Sequence, residues 1–587
     1  MRPVSTPTWS ARLRMFAAAA IAITLVAGCT SDDRSSQSSA SPVTDTAEAN
    51  TPSTDGSGST DTVPTTSTDG RTPTDGSNGA TCVAPKDTAP VDVADLGNNR
   101  DFDVTSFDGT TIRAHWFPLA GLPEGQTAPT VLMGPGWGSA GDTDISSVGA
   151  LGATTIGVIR DAGYNVLTWD PRGFGESTGV VTIDSVDFEG RDVQQLIDWV
   201  ATLPSVSLDS SRDPRLGMVG GSYGGGIQLV TAPVDCRIDA LVPVIAWNSL
   251  STSLYKNETP KTGWINLLVT VASFGSTLDP TIARAQQDGN ETGTIEPADA
   301  QWLANRGPGN AVSGITVPTL LIQGTVDTLF TLDEAIANYD MIRDNGVPTA
   351  MVWFCGGHGI CLTDKGDTTT VATSAVAWLD RYVKHDESVD TGPGFRFVDQ
   401  GGVQYSADTF SEGSGGAVTA SGSGTLALTV DGGAGPAVVD QSAGLLGAFI
   451  SQITPGPATN SIDVTISTNP AIAADHVIVG SPDLTLTYTG TAGTGDRPQR
   501  VFAQFVDPST GRVLGNQITP IDVVLDGAPH TVTVPLEAVA FTLHPGATLT
   551  LQLVASTVIY AQPQTGGSIT FASIDVSLPI SADVISG

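Results

Sequence analysis

At 587 residues the chain exceeds what one hydrophobic core normally serves, so two or more domains are expected beside non-globular segments. Its 61 acidic residues against 26 basic ones leave a formal charge of −35, a surface that repels nucleic acid and anionic lipid. Six histidines are scattered and none stands at metal-ligand spacing, so neither a metal nor a cofactor is expected.

Residues 1–28 read as a signal segment: Arg2, Arg12 and Arg14 lead an apolar run, Phe16 to Ala27, too short for a stop-transfer helix. It ends Leu25-Val26-Ala27-Gly28-Cys29, which resembles a bacterial lipoprotein signal. That predicts export and a lipid anchor on Cys29, the alternative being an ordinary signal peptide. Residues 29–88 are rich in Ser, Thr, Asp, Gly and Pro with almost no large apolar side chain. Such a stretch cannot bury enough surface to order itself and is expected to be a disordered linker.

From 89 to 390 strands alternate with helices, the pattern of a mainly parallel, helix-covered α/β sheet. Phe102–Ser106 and Thr111–Phe117 read as a hairpin turned at Asp108-Gly109, Thr130–Met133 and Asn165–Trp169 as strands, and Phe188–Thr202 as an amphipathic helix. Ile238–Ala246, Pro318–Ile322 and Ala350–Phe354 read as further strands, and Thr369–Val383 as a closing helix. Between about 248 and 313 the pattern breaks into helical pieces, the place for a cap. From 391 to 587 period-two alternation dominates, as in Leu484–Tyr488 and Leu549–Leu553, which predicts an all-β sandwich or jelly roll.

The chemistry centres on Arg215–Val230, RLGMVGGSYGGGIQLV: a short buried strand, a glycine-flanked Ser222 and the start of a helix. A serine on so sharp a strand-to-helix turn is a nucleophile elbow, whose flanking glycines are required because a Cβ there would collide with neighbouring strands and helices. A second Gly-x-Ser-x-Gly, around Ser177, lies in a Pro/Gly-rich loop with no helix after it. A serine hydroxyl needs a base that is oriented by a carboxylate. Among the histidines, His358 follows the strand Ala350–Phe354 in a glycine loop, whereas His115 sits in the opening hairpin and reads as structural. Asp327 follows the preceding strand; Asp333 and Glu334 look like first-turn helix residues, favoured there by the helix dipole alone. The chain order Ser222, Asp327, His358 is the order an α/β-hydrolase requires. Two N–H groups should face the oxyanion: the backbone N–H of Tyr223, and one from the loop Gly134–Gly138, for which Trp137 is chosen.

The segments WDPRGFGESTG (169–179), DFEGRDVQQLIDWV (187–200) and RLGMVGGSYGGG (215–226) resemble the X-prolyl dipeptidyl-peptidase and cocaine-esterase-like (CocE/NonD) α/β-hydrolases. The resemblance implies an α/β-hydrolase domain with a helical cap and a C-terminal jelly roll. It also implies serine hydrolysis of esters or amides by Ser222, Asp327 and His358. Cocaine-esterase-like members place a tyrosine side chain in the first oxyanion loop, and none occurs between Gly134 and Gly141, so either the backbone or the indole N–H of Trp137 stands in.

An esterase acting on a small-molecule ester is favoured over a peptidase acting on a short peptide, because the latter must hold a free amine. The cap offers Glu258, Asp279, Asp288, Glu291, Glu296 and Asp299 for that, but in so acidic a chain they read as a solvated face. Trp247, Tyr255, Trp264 and Trp302 fit an apolar acyl pocket and the core of the cap equally well. A surface binding protein with a silent hydrolase domain is the non-enzyme alternative. With Cys29 lipidated, Cys355 and Cys361 flank His358 and can clamp its loop, leaving Cys82 to pair with Cys236; four cysteines allow three pairings.

Overall fold

The computed structural model describes residues 100–146, 154–438, 444–468 and 474–587. The expected signal segment and linker, with Cys29 and Cys82, lie outside the described residues.

Among the described residues the central sheet has eleven strands. Its first members are β1 (Asp101–Thr105), β2 (Thr111–Phe117), β3 (Thr130–Gly134) and β4 (Asn165–Trp169). A small separate hairpin, β5 (Leu208–Ser210) and β6 (Asp213–Pro214), precedes β7 (Leu216–Gly221), β8 (Ala240–Val244), β9 (Thr319–Gly324) and β10 (Thr349–Phe354). β11 (Phe395–Val398), β12 (Gln404–Ala407) and a last strand, Ile585–Ser586, complete it. The spatial order is β1-β2-β4-β3-β7-β8-β9-β10-β11-β12 and then the last strand. All neighbours from β4 to β11 run parallel.

Period-two geometry sends successive residues of these strands to two separate cores. Leu132, Leu167, Met218 and Leu241 pack toward Leu196 and Ile197 of the helix Glu189–Val200. Their chain neighbours Val131, Val166, Val219 and Val242 pack toward Ile156, Ile159, Trp378 and Leu379 on the other face. With both faces covered, the strands read as near-continuous apolar runs, as parallel strands do. The insertion between β8 and β9 is helical: Leu250–Leu254, Thr262–Ala272, Pro280–Glu291 and Pro297–Ala304. Asp279 caps the third of these by accepting from Thr281 N, with Pro280 at its first position.

Among the described residues the strand-rich part holds two larger antiparallel sheets around one core, which a third pair, His476–Gly480 with Val539–Leu543, also joins. Ala417–Ala427, Gly567–Pro579, Asp483–Ala492 and His530–Pro535 form the first; Ser461–Ser467, Thr548–Val554, Arg500–Asp507, Arg512–Val513 and Thr519–Asp522 form the second. Leu484, Leu486 and Tyr488 point inward to Leu549, Leu551 and Leu553 of the opposite sheet, while Thr485 and Thr487 face out and bond Thr533 and Thr531.

Two details differ from the sequence reading. The central sheet runs on past residue 390, because β11, β12 and the last strand add to its edge. Alternation identifies a strand without saying which sheet it joins. The alternation at Leu426–Val430 reads as a strand in the sequence, whereas the observed strand runs Ala417–Ala427. Its inward positions include Gly422, where a Cβ would stand 2.5 Å from Val464 Cγ2, so the facing sheet excludes the apolar side chains that would have signalled the strand.

Candidate active site

The six residues of β7 end on Gly221, and the helix Tyr223–Thr231 begins immediately after Ser222. Ser222 occupies φ 58°, ψ −118°, a conformation costly to any residue with a Cβ and held here by its surroundings. Its N–H donates to Val244 O at 2.9 Å, and its carbonyl accepts from Gly225 N and Gly226 N. A Cβ on Gly220 would lie 2.7 Å from Gly224 O and 2.9 Å from Gly134 O, so the turn closes only with glycine there.

β9 and β10 carry the other two side chains at their C-terminal ends, the end where parallel sheets place ligands. Asp327 is fully buried and its carboxylate accepts four N–H groups. Oδ1 takes Leu329 N at 3.0 Å and Phe330 N at 2.9 Å; Oδ2 takes His358 N at 3.0 Å and His358 Nδ1 at 2.7 Å. His358 Nε2 lies 2.8 Å from Ser222 Oγ. The structure thus brings Ser222, His358 and Asp327 into one hydrogen-bonded line. Gly357, at φ +105°, lets the two loops touch: a Cβ there would stand 2.7 Å from the Asp327 side chain. Phe330 and Trp264 meet the His358 ring edge-on, with centroids 5.1 and 6.0 Å away. A disulfide joins Cys355 to Cys361 and closes the loop that carries His358. The other expected pair includes Cys82, outside the described residues.

The loop after β3 starts against the elbow, with Gly134 paired to Gly220. The Trp137 ring packs edge-on against Phe174 and Tyr223, at 5.2 and 5.4 Å. Its indole N–H donates to Leu268 O of the cap at 3.0 Å. The indole is therefore engaged, which leaves the main-chain N–H groups of Trp137 and Tyr223 as the candidate oxyanion donors. Ser177, of the second Gly-x-Ser-x-Gly, donates to Asp170 O at 2.6 Å and accepts from Arg113 N, so it ties loops together. His115 lies between Asp101 and Asp170, at 2.7 and 3.2 Å, remote from that line of three.

Above Ser222 opens a pocket of about 680 Å³, counting its solvent-open part. Trp137, Trp247, Leu250, Ile265, Ile282 and Phe330 are among its walls, and among the described residues no charged one lines it. Of the four cap aromatics singled out above, Trp247 alone lines the pocket. Trp264 packs by His358 and donates to Thr328 Oγ1, Tyr255 bonds Thr294, and Trp302 lies under Arg306. None of the six cap carboxylates lines it either: Asp279 is a helix cap and Asp299 pairs with Arg284.

Sequence reasoning missed the buried polar groups beneath the elbow. Glu189 accepts from Thr182 N, Thr182 Oγ1 and Ser185 N, and from the Tyr223 hydroxyl at 3.3 Å. Asp192 forms a bidentate pair with Arg172, at 2.6 and 2.7 Å. Asp184 is wholly buried with neither carboxyl oxygen hydrogen-bonded. Burial, then the nearby Glu189, push its carboxyl well above the usual range. These residues lie in or beside the segments 169–179 and 187–200, so their run of acidic and glycine residues was a signal, though not one that named partners.

Residues 108–359 match the model of the X-Pro dipeptidyl-peptidase (S15) family. No curated protein sequence matches the chain. Among solved structures, a CocE/NonD family hydrolase from Staphylococcus aureus aligns with TM-score 0.57 at 15% identity, over 82% of this chain and 93% of its own. An alpha-amino acid ester hydrolase gives TM-score 0.60 at 15% identity, over 82% and 96%. An aminopeptidase from a marine sediment archaeon, Thaumarchaeota archaeon, gives 0.57 at 13%, over 86% and 100%. The chain has the α/β-hydrolase fold with an added β domain, and across residues 108–359 it is similar to the X-Pro dipeptidyl-peptidase (S15) family, as the elbow and its two flanking motifs imply.

Proposed function

We propose that the protein is a serine hydrolase that cleaves carboxylic esters through an acyl-enzyme. The observation that carries this reading is the Ser222–His358–Asp327 line opening into an uncharged pocket. Ser222 Oγ attacks the ester carbonyl as His358 Nε2 takes its proton, and Asp327 holds Nδ1–H and stabilises the imidazolium. The main-chain N–H groups of Tyr223 and Trp137 receive the oxyanion. The C–O bond then breaks, and the alkoxide leaves with the proton from Nε2. Water attacks the acyl-Ser222, giving its proton to His358, and the acid departs as Ser222 regains its own. The family match supports a second reading, an X-prolyl dipeptidyl-peptidase. The uncharged lining favours the ester, because a free α-ammonium needs a carboxylate partner when desolvated. The basic start and the run to Cys29 support export and a lipid anchor; a Cys29→Ala protein that still partitions with membranes as a lipidated species would remove that part.

The test is turnover of nitrophenyl esters of increasing acyl length and of an aminoacyl-proline anilide, by the full-length protein and by Ser222→Ala. Ester turnover lost in the variant is expected. Cleavage of the anilide alone would transfer the protein to the peptidase reading. No turnover and no labelling by a fluorophosphonate would leave a binding protein.

A further inference from the structure

The acid and base loops are held from an unexpected direction. A turn in the strand-rich domain, Leu514–Asn516 followed by Gln517, is buried against them. Gln517 Nε2 donates to the main-chain carbonyl of Asp327 at 2.7 Å. The next residue back, Asn516, donates from Nδ2 to Ile360 O at 3.0 Å, two residues beyond His358. Gly515 touches the Asp327 loop, since a Cβ on it would meet Thr325 O at 3.0 Å. Asn516 stands at φ +56° and Gly515 at φ +60°, so two successive residues in the left-handed region aim both amides at once. Neither contact is local: the partners lie 190 and 156 residues apart in sequence.

We infer that Asn516 and Gln517 are positioning residues that hold the Asp327 and His358 loops in register, making the β domain part of the catalytic apparatus. The inference rests on the triad proposed above. Its physical basis is that the carboxylate–imidazole contact depends on two separate loops. Within the hydrolase sheet they meet at the ends of adjacent strands, whose paired register ends at Phe354 and Gly324 with one more bond, from Thr325 N to Phe354 O at 2.9 Å. Beyond those residues the loops are joined to each other through the Asp327 side chain, and their main chains are tied to the rest of the molecule at few points, among them the bonds of Lys261 to Thr328 O and Leu329 O. One turn that bonds both main chains fixes their separation directly. Other directed bonds cross between the domains, such as Asn257 to Pro520 O, but these two fall on the carbonyl of Asp327 itself and on that of Ile360, two residues beyond His358. Neither residue touches substrate; both act through the loops.

The test uses the full-length protein with Gln517→Met, which keeps length but loses the donor, and Asn516→Gly, which keeps the left-handed backbone but loses its donor. Gln517→Glu and Asn516→Asp, which replace a donor by an acceptor, are measured beside them in case a first choice does not fold. Rates are normalised to the folded fraction from near-UV circular dichroism. A misplacement of ångström size costs about 10²-fold in rate, so kcat is expected to fall about 10- to 100-fold. KM should stay within about threefold, because the pocket walls are untouched, and fluorophosphonate labelling should slow in parallel with kcat. Wild-type kcat in the folded variants, or a rise in KM that accounts for the loss, would overturn the inference. Ser222→Ala separates the two readings: residual turnover in that variant defeats the triad itself, whereas a dead Ser222→Ala with fully active Gln517→Met and Asn516→Gly defeats only the positioning role.

Discussion

Asp327→Asn isolates what the acid does. The change preserves shape, and its consequence follows from the four N–H groups around the carboxylate. Leu329 N and Phe330 N, on Oδ1, are main-chain donors that have no other form. The amide oxygen must face them, which turns the new NH2 toward His358. There it meets the main-chain N–H of His358, donor against donor, and the ring nitrogen Nδ1. To accept from the amide, Nδ1 must give up its proton, so the proton moves to Nε2, the atom that should take the Ser222 proton at 2.8 Å. Wrong-tautomer loss in a triad of this kind is about 10⁴-fold in kcat. The unpaired His358 N–H adds a destabilisation of about 1–3 kcal/mol, visible as a lower melting temperature of a protein that still folds. Both are read from steady-state hydrolysis of a nitrophenyl ester and a thermal melt on the same sample. More than about a tenth of wild-type turnover, on the 10⁴-fold scale expected, would show that Asp327 does not orient His358.

Asp333→Asn should leave turnover within a few-fold of wild type while lowering stability. Burial works against its charge, but Lys256 and bonds to Ser481 and Ala538 hold its carboxyl down at about 2, so its contribution is present above the ordinary value near 3.8 and lost as pH falls toward 2. A melting temperature insensitive to the change on the acid side would contradict this. Opening the Cys355–Cys361 bridge with a reductant should lower kcat several-fold by loosening the His358 loop, and an unchanged rate would mean that the glycine loop needs no clamp. Asp184→Asn should stabilise the protein increasingly as pH rises. The native Asp184 keeps a proton that the unfolded chain loses near 3.8, so each pH unit above that costs about 1.4 kcal/mol until its own raised pKa is reached. Parallel stability-against-pH curves for variant and wild type would refute an uncharged Asp184.

The elbow and the two loops were legible because their constraints are local. Gly220 and Gly224 are demanded by atoms of the same turn and of the strand beside it; Ser222 directly follows a strand with an apolar signature, and Asp327 and His358 lie in the short loops after two more. The pocket was less legible: its walls are apolar residues spread from Trp137 to Phe330, and nothing in Trp247 or Trp264 says which of them faces a cavity. The strand Ala417–Ala427 was hidden because glycine at Gly422 makes room for Val464 instead of displaying a side chain. Asn516 and Gln517 were invisible for a different reason. Their partners are main-chain carbonyls, which leave no trace in residue identity.

The interior also bears on which substrates the pocket accepts, through Lys261. This cap residue is 1% exposed and its ammonium donates to Thr328 O and Leu329 O, with Glu537, Glu334 and Asp327 near enough to favour the charge. Burial nevertheless pushes its pKa down to about 8. An α-ammonium drawn into the pocket beside it would face walls with no carboxylate and lose its charge more readily still. A peptide substrate would therefore have to keep its amine at the mouth and offer only a neutral side chain to the interior. A neutral acyl group meets no such barrier: each buried methylene is worth about 0.8 kcal/mol, close to fourfold in binding. Rising kcat/KM along an ester series until the chain outgrows the walls is what this environment predicts. A flat series would mean that the acyl group does not enter the pocket.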